Sequence, residues 1–159
     1  MARQLVLMIL AANLAACGFH LQGAAKLSPT MSVTFIDADD TRTEFHRALV
    51  GALDTAGVRV ATERDEASAT VAIKKDETGQ RVLSLSAQNK PREYEVYYTV
   101  TFAVSAGGKE LLAPQTVTLT RDYSFDERAL LAKGREQDVL RAALASDIVD
   151  IVMRRLASL

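Results

Sequence analysis

The residue with the most distinctive chemistry is Cys17, because it is the single cysteine in a chain of 159 residues. A lone thiol cannot close a disulfide within the chain, and Cys17 is not part of a CxxC or Cys/His pattern that would indicate zinc. It offers a nucleophile that another molecule can modify. Cys17 also comes shortly after an apolar run, residues 5–12 (LVLMILAA), and this context indicates which modification to expect.

The first seventeen residues have the pattern of an export signal. Arg3 supplies the positive start, and the apolar run is much shorter than the roughly 20 residues that cross a bilayer. Residues 14–17 (LAAC) resemble the bacterial lipobox, in which the cysteine receives a diacylglycerol, the chain is cut before it, and the new amine is acylated. Several acyl chains together anchor a protein stably. The alternative is an ordinary secretory signal with an incidental cysteine. Gly18 is compatible with export to the outer membrane.

Side chains that could catalyse a reaction are sparse. The sequence contains no GxSxG, HExxH or Gly-rich phosphate loop. His20 and His46 could act as general bases, but solvated histidines are the more ordinary interpretation. Asp147 and Asp150 could form a carboxylate pair, although Asp150 and Arg154 are better interpreted as an i,i+4 ion pair. We therefore expect a protein that is not an enzyme.

The charge pattern also excludes some partners and cofactors. The formal net charge is −1, so no global basic field indicates nucleic acid. The acidic stretch 37–44 (DADDTRTE) lacks the glycine and the distal glutamate of a calcium loop, and it suits the start of a helix better. We expect no metal and no cofactor.

Two basic groups are more suggestive. One flanks Pro91 in the loop before the clearest strand, and the other lies around the junction between the last strand and the last helix. On a membrane-tethered protein such groups could contact anionic lipid head groups or phosphates. The alternative is ordinary solubilising charge. The residues are Lys90 and Arg92 in the first group, and Arg121, Lys133 and Arg135 in the second.

Hydrophobic periodicity predicts the elements that position these groups. Residues 31–37 alternate as a strand, and a helix follows over about 42–56. Thr41 and Glu44 fit a capping box at its start, and Gly57 is suited to end it. Residues 58–60 form a short extended segment.

The middle of the chain predicts three long extended regions. Residues 69–76 and 81–87 read either as a hairpin or as one strand bent by a bulge at Gly79. Residues 93–105 give the clearest alternation, and after a Gly-Gly turn the return strand covers about 112–125.

A long C-terminal helix completes the set, with a possible break at Gly134. The predicted fold is α+β: a two-layer sandwich with a roughly four-stranded mixed sheet and two helices packed on one face. The other face is rich in Thr, Ser and Tyr, and should be solvated or meet something polar. The apolar stripe of the last helix is Leu140, Leu144, Ile148, Ile151, Val152 and Leu156.

Several segments resemble the LptE family of lipopolysaccharide-assembly lipoproteins. They follow the lipobox in the order and spacing of that family and extend over essentially the whole mature chain. They are residues 17–23 (CGFHLQG), 92–95 (REYE), 121–126 (RDYSFD), 131–133 (LAK), 136–137 (EQ) and 154–156 (RRL).

The resemblance implies both a structure and a function. It implies a four-stranded sheet with two helices, and so favours one long bent strand over residues 69–88. It also implies a lipoprotein that lies as a plug inside the outer-membrane β-barrel LptD. Such a protein helps the barrel assemble, binds lipopolysaccharide and takes part in its delivery to the outer leaflet.

The resemblance carries over to few individual residues. Lys133 matches a basic position that the family uses towards lipopolysaccharide. The family's second basic position falls near Ala87, so Lys90 or Arg92 is expected to take its place. Arg121 is the remaining candidate for lipopolysaccharide binding.

Taken together, the sequence predicts three segments. Residues 1–16 are a lipoprotein signal peptide, 17–30 a lipidated tether, and 31–159 a single α+β domain. We expect it to be lipid-anchored through Cys17 on the periplasmic side of the outer membrane, with an LptD-type barrel and lipopolysaccharide as partners. The alternative function is a membrane-tethered periplasmic scaffold for another envelope machine.

Overall fold

Five strands form one mixed sheet, and two helices cover one of its faces. These elements belong to a computed structural model that describes residues 27–124 and 130–159, with side chains from 136 onward in the second range. The predicted α+β two-layer architecture is confirmed. The elements are β1 (Val33–Asp37), α1 (Glu44–Thr55), β2 (Arg59–Ala61), β3 (Ala69–Leu85), β4 (Pro91–Ala106), β5 (Lys109–Ser124) and α2 (Leu130–Leu156).

The sheet has the strand order β2-β1-β3-β4-β5. β1 runs parallel to both β2 and β3, whereas β3, β4 and β5 form an antiparallel meander. The fifth strand, β2, is the difference from the roughly four strands expected. It has only three residues, too few for alternation to distinguish a strand from an extended loop.

β3 is one continuous strand of 17 residues, which decides against the hairpin interpretation. The bulge expected at Gly79 is wrong, because Gly79 pairs in regular register with Tyr97. The irregularities lie between Ile73 and Lys75 and again between Val82 and Leu85. Gly79 serves a different purpose: a Cβ built there would lie 2.6 Å from Tyr97 Cζ, so the glycine makes room for the tyrosine ring.

The N-cap of the first helix lies two residues later than predicted. The N-cap is Thr43, whose hydroxyl accepts a hydrogen bond from the His46 N–H at 3.0 Å, and not Thr41. The predicted stop at Gly57 is confirmed, because Gly57 has φ of +79°. The Gly57 and Val58 N–H groups donate back into the last turn, which is the Schellman arrangement.

The core lies between the helices and the inner face of the sheet, which is the face they cover. The alternation of β4 is confirmed, since every second residue from Val96 to Val104 is buried. α2 continues through Gly134, so the glycine does not break it. Phe125 and Asp126, the predicted strand end and helix start, lie outside the described residues. The largest fully buried side chains include Tyr98, Phe45, Phe102, Leu49, Leu144 and Ile148.

Candidate functional site

The loop between β3 and β4 holds two of the predicted basic residues in a defined turn. The Ser86 N–H donates to the Lys90 carbonyl at 2.7 Å, and the Asn89 N–H donates to the Ser86 carbonyl at 2.9 Å. The Ser86 hydroxyl also accepts from the Lys90 N–H at 3.2 Å. Lys90 and Arg92 are both exposed at this end of the sheet. We call residues 82–92, the last strand residues of β3 with this turn and the first residues of β4, the hairpin tip.

Acidic side chains beside the hairpin tip already have partners. Arg81 forms an ion pair with Glu95, with 2.5 Å between the charged atoms, although the contact lacks the alignment of a hydrogen bond. The Ser84 hydroxyl donates to the Glu93 carboxylate at 2.6 Å. These carboxylates are engaged on the strands, next to the turn in which Lys90 and Arg92 are exposed.

The hairpin tip also exposes large apolar side chains, which the sequence pattern did not predict. Val82 is 46% exposed, Leu83 46% and Leu85 53%. The alternation of Leu83 and Leu85 gave no sign of this, because it resembles the buried face of an ordinary strand. The one signal available was the turn sequence directly after them, since residues at the end of a hairpin receive the least cover.

Arg121 lies on the inner face of β5 and points towards α2. Its guanidinium contacts the Asp147 carboxylate at 2.6 Å, with the two side chains 45% and 47% exposed. Arg121 pairs with Val96 in the sheet, whereas Ser124 at the end of β5 pairs with Glu93 beside the tip. This predicted ligand therefore already has a carboxylate partner, and it stands a few residues back from Lys90 and Arg92.

The remaining predicted site residues are described less fully or not at all. Lys133 lies near the start of α2, but its side chain is outside the described part of the chain, as is that of Arg135. Cys17 and His20 also lie outside the described residues. Ala87, the position where the resemblance placed the second basic residue, is exposed in the turn of the hairpin tip.

Near the junction between β2 and β3, the acidic stretch after β1 is engaged by arginines. Arg64 contacts Asp37 at 2.6 Å and lies over the Phe35 ring. The Arg42 N–H donates to Asp40 at 2.8 Å, which holds the pKa of that carboxyl below its ordinary value. Within the ranges 27–124 and 130–159, no three His, Cys, Asp or Glu side chains converge as a metal site.

A polar cluster at the edge of the core ties α1 to the sheet. Asp76 accepts from the Tyr98 hydroxyl at 2.8 Å and from the Thr43 hydroxyl at 2.6 Å. Burial, together with this bond to a carboxylate, raises the pKa of Tyr98 well above its ordinary value. Partial burial lowers the pKa of His46, an effect that the nearby Asp76 and Asp40 charges oppose. Because these side chains form hydrogen bonds with one another, we interpret the cluster as structural.

The outer face of the sheet, which no helix covers, carries the hydroxyl-rich surface expected from the sequence. Thr99 and Thr118 are hydrogen-bonded across β4 and β5 at 3.0 Å, and Thr101 and Thr116 at 2.8 Å. Such cross-strand pairs stabilise a sheet without an apolar cover. In the part of the chain that the structure describes, no helix has the length and apolar character needed to cross a bilayer.

The fold is similar to that of small α+β domains of bacterial lipoproteins. A solution structure of lipoprotein B from Nitrosomonas europaea matches with a TM-score of 0.73 and 25% identity, over 89% of this chain and 91% of that one. A crystal structure of rare lipoprotein B from Shewanella oneidensis matches with a TM-score of 0.69 and 28% identity, over 79% of this chain and 94% of that one.

The family follows from a second, sequence-based comparison. The LptE, lipopolysaccharide-assembly, family model matches residues 29–156, and the chain therefore belongs to that family. The LPS-assembly lipoprotein LptE of Pectobacterium atrosepticum is 28% identical over 148 residues, which are 91% of this chain and 79% of that protein. The resemblance seen in the sequence motifs is thus confirmed.

Proposed function

We propose that this chain is an outer-membrane lipoprotein, anchored through Cys17 on the periplasmic side, that occupies an LptD-type β-barrel as a plug. In this role it helps the barrel assemble, binds lipopolysaccharide and takes part in its transport to the outer leaflet. The chain acts by recognition and placement, without catalysis or a cofactor. The observation that carries the proposal is the family match over residues 29–156 behind the lipobox of residues 14–17.

The dimensions of the sheet are compatible with a plug. β3 and β4 have 17 and 16 residues, and at about 3.3 Å per residue they extend roughly 50 Å. That length exceeds the roughly 30 Å thickness of a bilayer's hydrocarbon core. A domain built on such strands can extend through the lumen of a large barrel, and barrels of about 22 strands are wide enough to hold one.

In this arrangement one end of the sheet lies near the acylated leaflet and the other end lies in the barrel. Met31, the first buried residue in the described part of the chain, precedes β1 at the end of the sheet where β3 begins, because Thr34 pairs with Ala69. The hairpin tip lies at the other end of β3. Nine residues separate Cys17 from Leu27 and extend at most about 33 Å, which holds the beginning of the domain near the acylated leaflet. The tip then points away from the anchor, into or through the barrel.

Lipopolysaccharide recognition is assigned to the cationic end of the domain. Lys90 and Arg92 are exposed on the tip, and the resemblance of the LAK segment to the family implies that Lys133 is a basic position used towards lipopolysaccharide. Charge-assisted hydrogen bonds to phosphate are among the strongest that proteins make. Arg121 belongs to this group by sequence, but its ion pair with Asp147 gives it a role in holding α2 on the sheet as well.

The test is co-purification from the native membrane. Outer membranes are extracted in mild detergent from cells that carry the chain with a tag after Leu159, and the accompanying proteins are identified by mass spectrometry. A stoichiometric large β-barrel is the expected result. Recovery with periplasmic synthases instead would support the scaffold function.

The lipid anchor is tested separately from barrel assembly, by mass spectrometry of the N-terminal peptide. The mass of the N-terminal peptide from the unsubstituted protein should include a diacylglycerol and an amide-linked acyl chain on Cys17. An unmodified cysteine would contradict the lipoprotein assignment. It would leave the barrel assignment to be decided by the co-purification.

A further inference from the structure

The edge strand β5 has one open side. In the described part of the chain β4 lies on one side of β5, and no strand pairs with the other. Every second residue of such an edge presents its N–H and C=O groups to a further strand. Proteins commonly discourage this pairing with short edge strands, prolines, bulges or charges. The opposite edge of the sheet follows that rule, because β2 has only three residues.

The two halves of β5 differ in how well they are protected. The first half, residues 109–114, contains Pro114, and its register against β4 shifts twice between Phe102 and Ser105. The second half, residues 115–124, pairs with β4 in unbroken register. Its first six residues (QTVTLT) include no charge, proline or glycine and are rich in β-branched side chains. A segment of this kind at an open edge is a template for pairing.

The sequence of this segment is complementary to itself. Two copies can pair antiparallel with Thr118 opposite its own counterpart. Thr116 then lies opposite Thr120 of the second copy on the outer face. On the inner face Val117 lies opposite Leu119 of the second copy, which joins two apolar side chains. Threonine pairs of the same kind already connect β4 to β5, with hydroxyl separations of 3.0 and 2.8 Å.

The helix above this edge carries a matching set of groups. Asp147 of α2 accepts a hydrogen bond from Arg121 at 2.6 Å. Two turns further along α2, Arg155 donates to the Gln115 side chain at 2.5 Å. The antiparallel pairing places Gln115 opposite Arg121 of the second copy, so Arg155 of each copy approaches Asp147 of the other. The half-buried Ile151 lies midway along the same stripe of the helix, next to the centre of the pairing.

We propose that the open edges of β5 from two copies of this chain pair antiparallel about a two-fold axis at Thr118. The pairing joins two five-stranded sheets into one sheet of ten strands. A two-fold axis brings the same residues from both copies together, as the self-complementary segment 115–121 requires. Because the paired segment is short, the dimer is small and reversible. It covers the unprotected edge while the domain is outside a barrel, and it does not depend on the proposed plug function.

Sedimentation velocity measures the oligomeric state as a function of protein concentration. The parent protein is the mature chain, residues 17–159, with Cys17→Ala, so that neither acylation nor a disulfide through the lone thiol can join two copies. It should shift from monomer towards dimer between about 1 and 500 µM, the range of small interfaces. A monomer at every concentration would overturn the inference and leave the plug function untouched.

Two matched substitutions locate the interface. Thr118→Lys places two positive charges opposite each other at the two-fold axis and should weaken dimerisation more than tenfold. Thr99→Lys adds the same charge and breaks the same hydrogen bond, but it lies on β4, one strand away from the edge. It should leave dimerisation nearly unchanged. Undiminished dimerisation of the Thr118→Lys protein would show that the copies meet through another surface, and would overturn the inference.

Cysteine crosslinking tests the register with a smaller change. Thr118→Cys in the parent chain brings two thiols opposite each other, within the Cα separation of about 4.4–6.8 Å that a disulfide allows, so an added oxidant should yield a covalent dimer. In Thr116→Cys the two thiols are offset by four residues, roughly 13 Å, and should not join. A mixture of Thr116→Cys and Thr120→Cys proteins should crosslink. Crosslinking of Thr116→Cys alone, with none in Thr118→Cys, would overturn the two-fold pairing at Thr118.

Discussion

The hydroxyl of Tyr98 donates a 2.8 Å hydrogen bond to Asp76 across the β3–β4 pair, on the face that α1 covers. The same hydroxyl accepts the Phe45 N–H at 3.3 Å, one of the donors that the start of a helix leaves without a partner in its own turn. Asp76 also accepts from Thr43, the N-cap of α1. One buried tyrosine thus fixes where the first helix begins on the sheet.

Replacing this hydroxyl should destabilise the domain. In Tyr98→Phe the Phe45 N–H and the Asp76 carboxylate each lose a partner at the edge of the core, and unsatisfied polar groups there cost about 1–3 kcal/mol. The free energy of unfolding, measured by urea denaturation, should fall by that amount. Tyr97→Phe on the outer face is the matched control and should change it by less than about 0.5 kcal/mol. Equal effects of the two variants would contradict a special role for Tyr98.

The lowered pKa of His46 predicts that the stability of the domain depends on pH. Partial burial lowers the pKa in the folded state, so the unfolded chain binds the proton more readily. The contribution of His46 is present above its ordinary pKa of about 6.5 and is lost as the pH falls below it towards the folded-state value. Urea unfolding of the 27–159 domain should show stability declining from about pH 7 to pH 5.5, and His46→Gln should flatten this decline. If the pH dependence of stability were the same in His46→Gln as in the unsubstituted domain, the lowered pKa of His46 would be contradicted.

Gly79 offers a test of close approach in the sheet. A Cβ at this position would lie 2.6 Å from Tyr97 Cζ, so Gly79→Ala must displace the ring and should cost about 1 kcal/mol of stability. In a Tyr97→Ala background the same change should be neutral or slightly stabilising, because glycine in a strand interior is itself unfavourable. Additive effects of the two substitutions would show that the ring does not depend on the glycine.

Local sequence patterns correctly predicted the features that depend mainly on neighbouring residues. The alternation of β4 follows from one buried face, and the end of α1 at Gly57 follows from the need for positive φ. The start of α1 depends on a distant residue. Thr41 and Thr43 both precede Glu44, and Asp76, which lies 33 residues from Thr43, accepts a hydrogen bond from the Thr43 hydroxyl and so favours Thr43 as the N-cap.

Dependence on residues that are distant in the sequence also explains why features of β3 and of the candidate site were not predicted. The shift after Ile73 places Asp76 on the inner face, where simple alternation would have placed Lys75. Register irregularities depend on cross-strand pairing, which one strand's sequence does not contain. The sequence located Lys90 and Arg92 on an exposed turn, but it did not predict the exposure of Leu83 and Leu85, whose alternation resembles that of a buried face.

The ion pair between Arg121 and Asp147 distinguishes a structural role from a ligand-binding role. Both side chains are nearly half exposed, so Arg121→Gln and Asp147→Asn should each lower the free energy of unfolding by less than about 1 kcal/mol. The double variant should lose no more than either single one. Asp147→Asn also releases the guanidinium, so lipopolysaccharide affinity should rise in this variant if Arg121 is a ligand. Unchanged affinity in both single variants would leave Arg121 only its role beside α2.

Charge reversal at the proposed cationic site should weaken lipopolysaccharide binding. Arg92→Glu with Lys133→Glu replaces two attractions to phosphate by repulsions, and charged hydrogen bonds contribute about 1.5–3 kcal/mol each, so affinity should fall more than tenfold. The loss should shrink at high salt, because exposed charges are screened. Lys109→Glu with Arg154→Glu makes the same change in net charge at exposed positions outside the hairpin tip and should have little effect. Unaltered affinity of the Arg92→Glu/Lys133→Glu protein at low salt would show that the phosphates bind elsewhere.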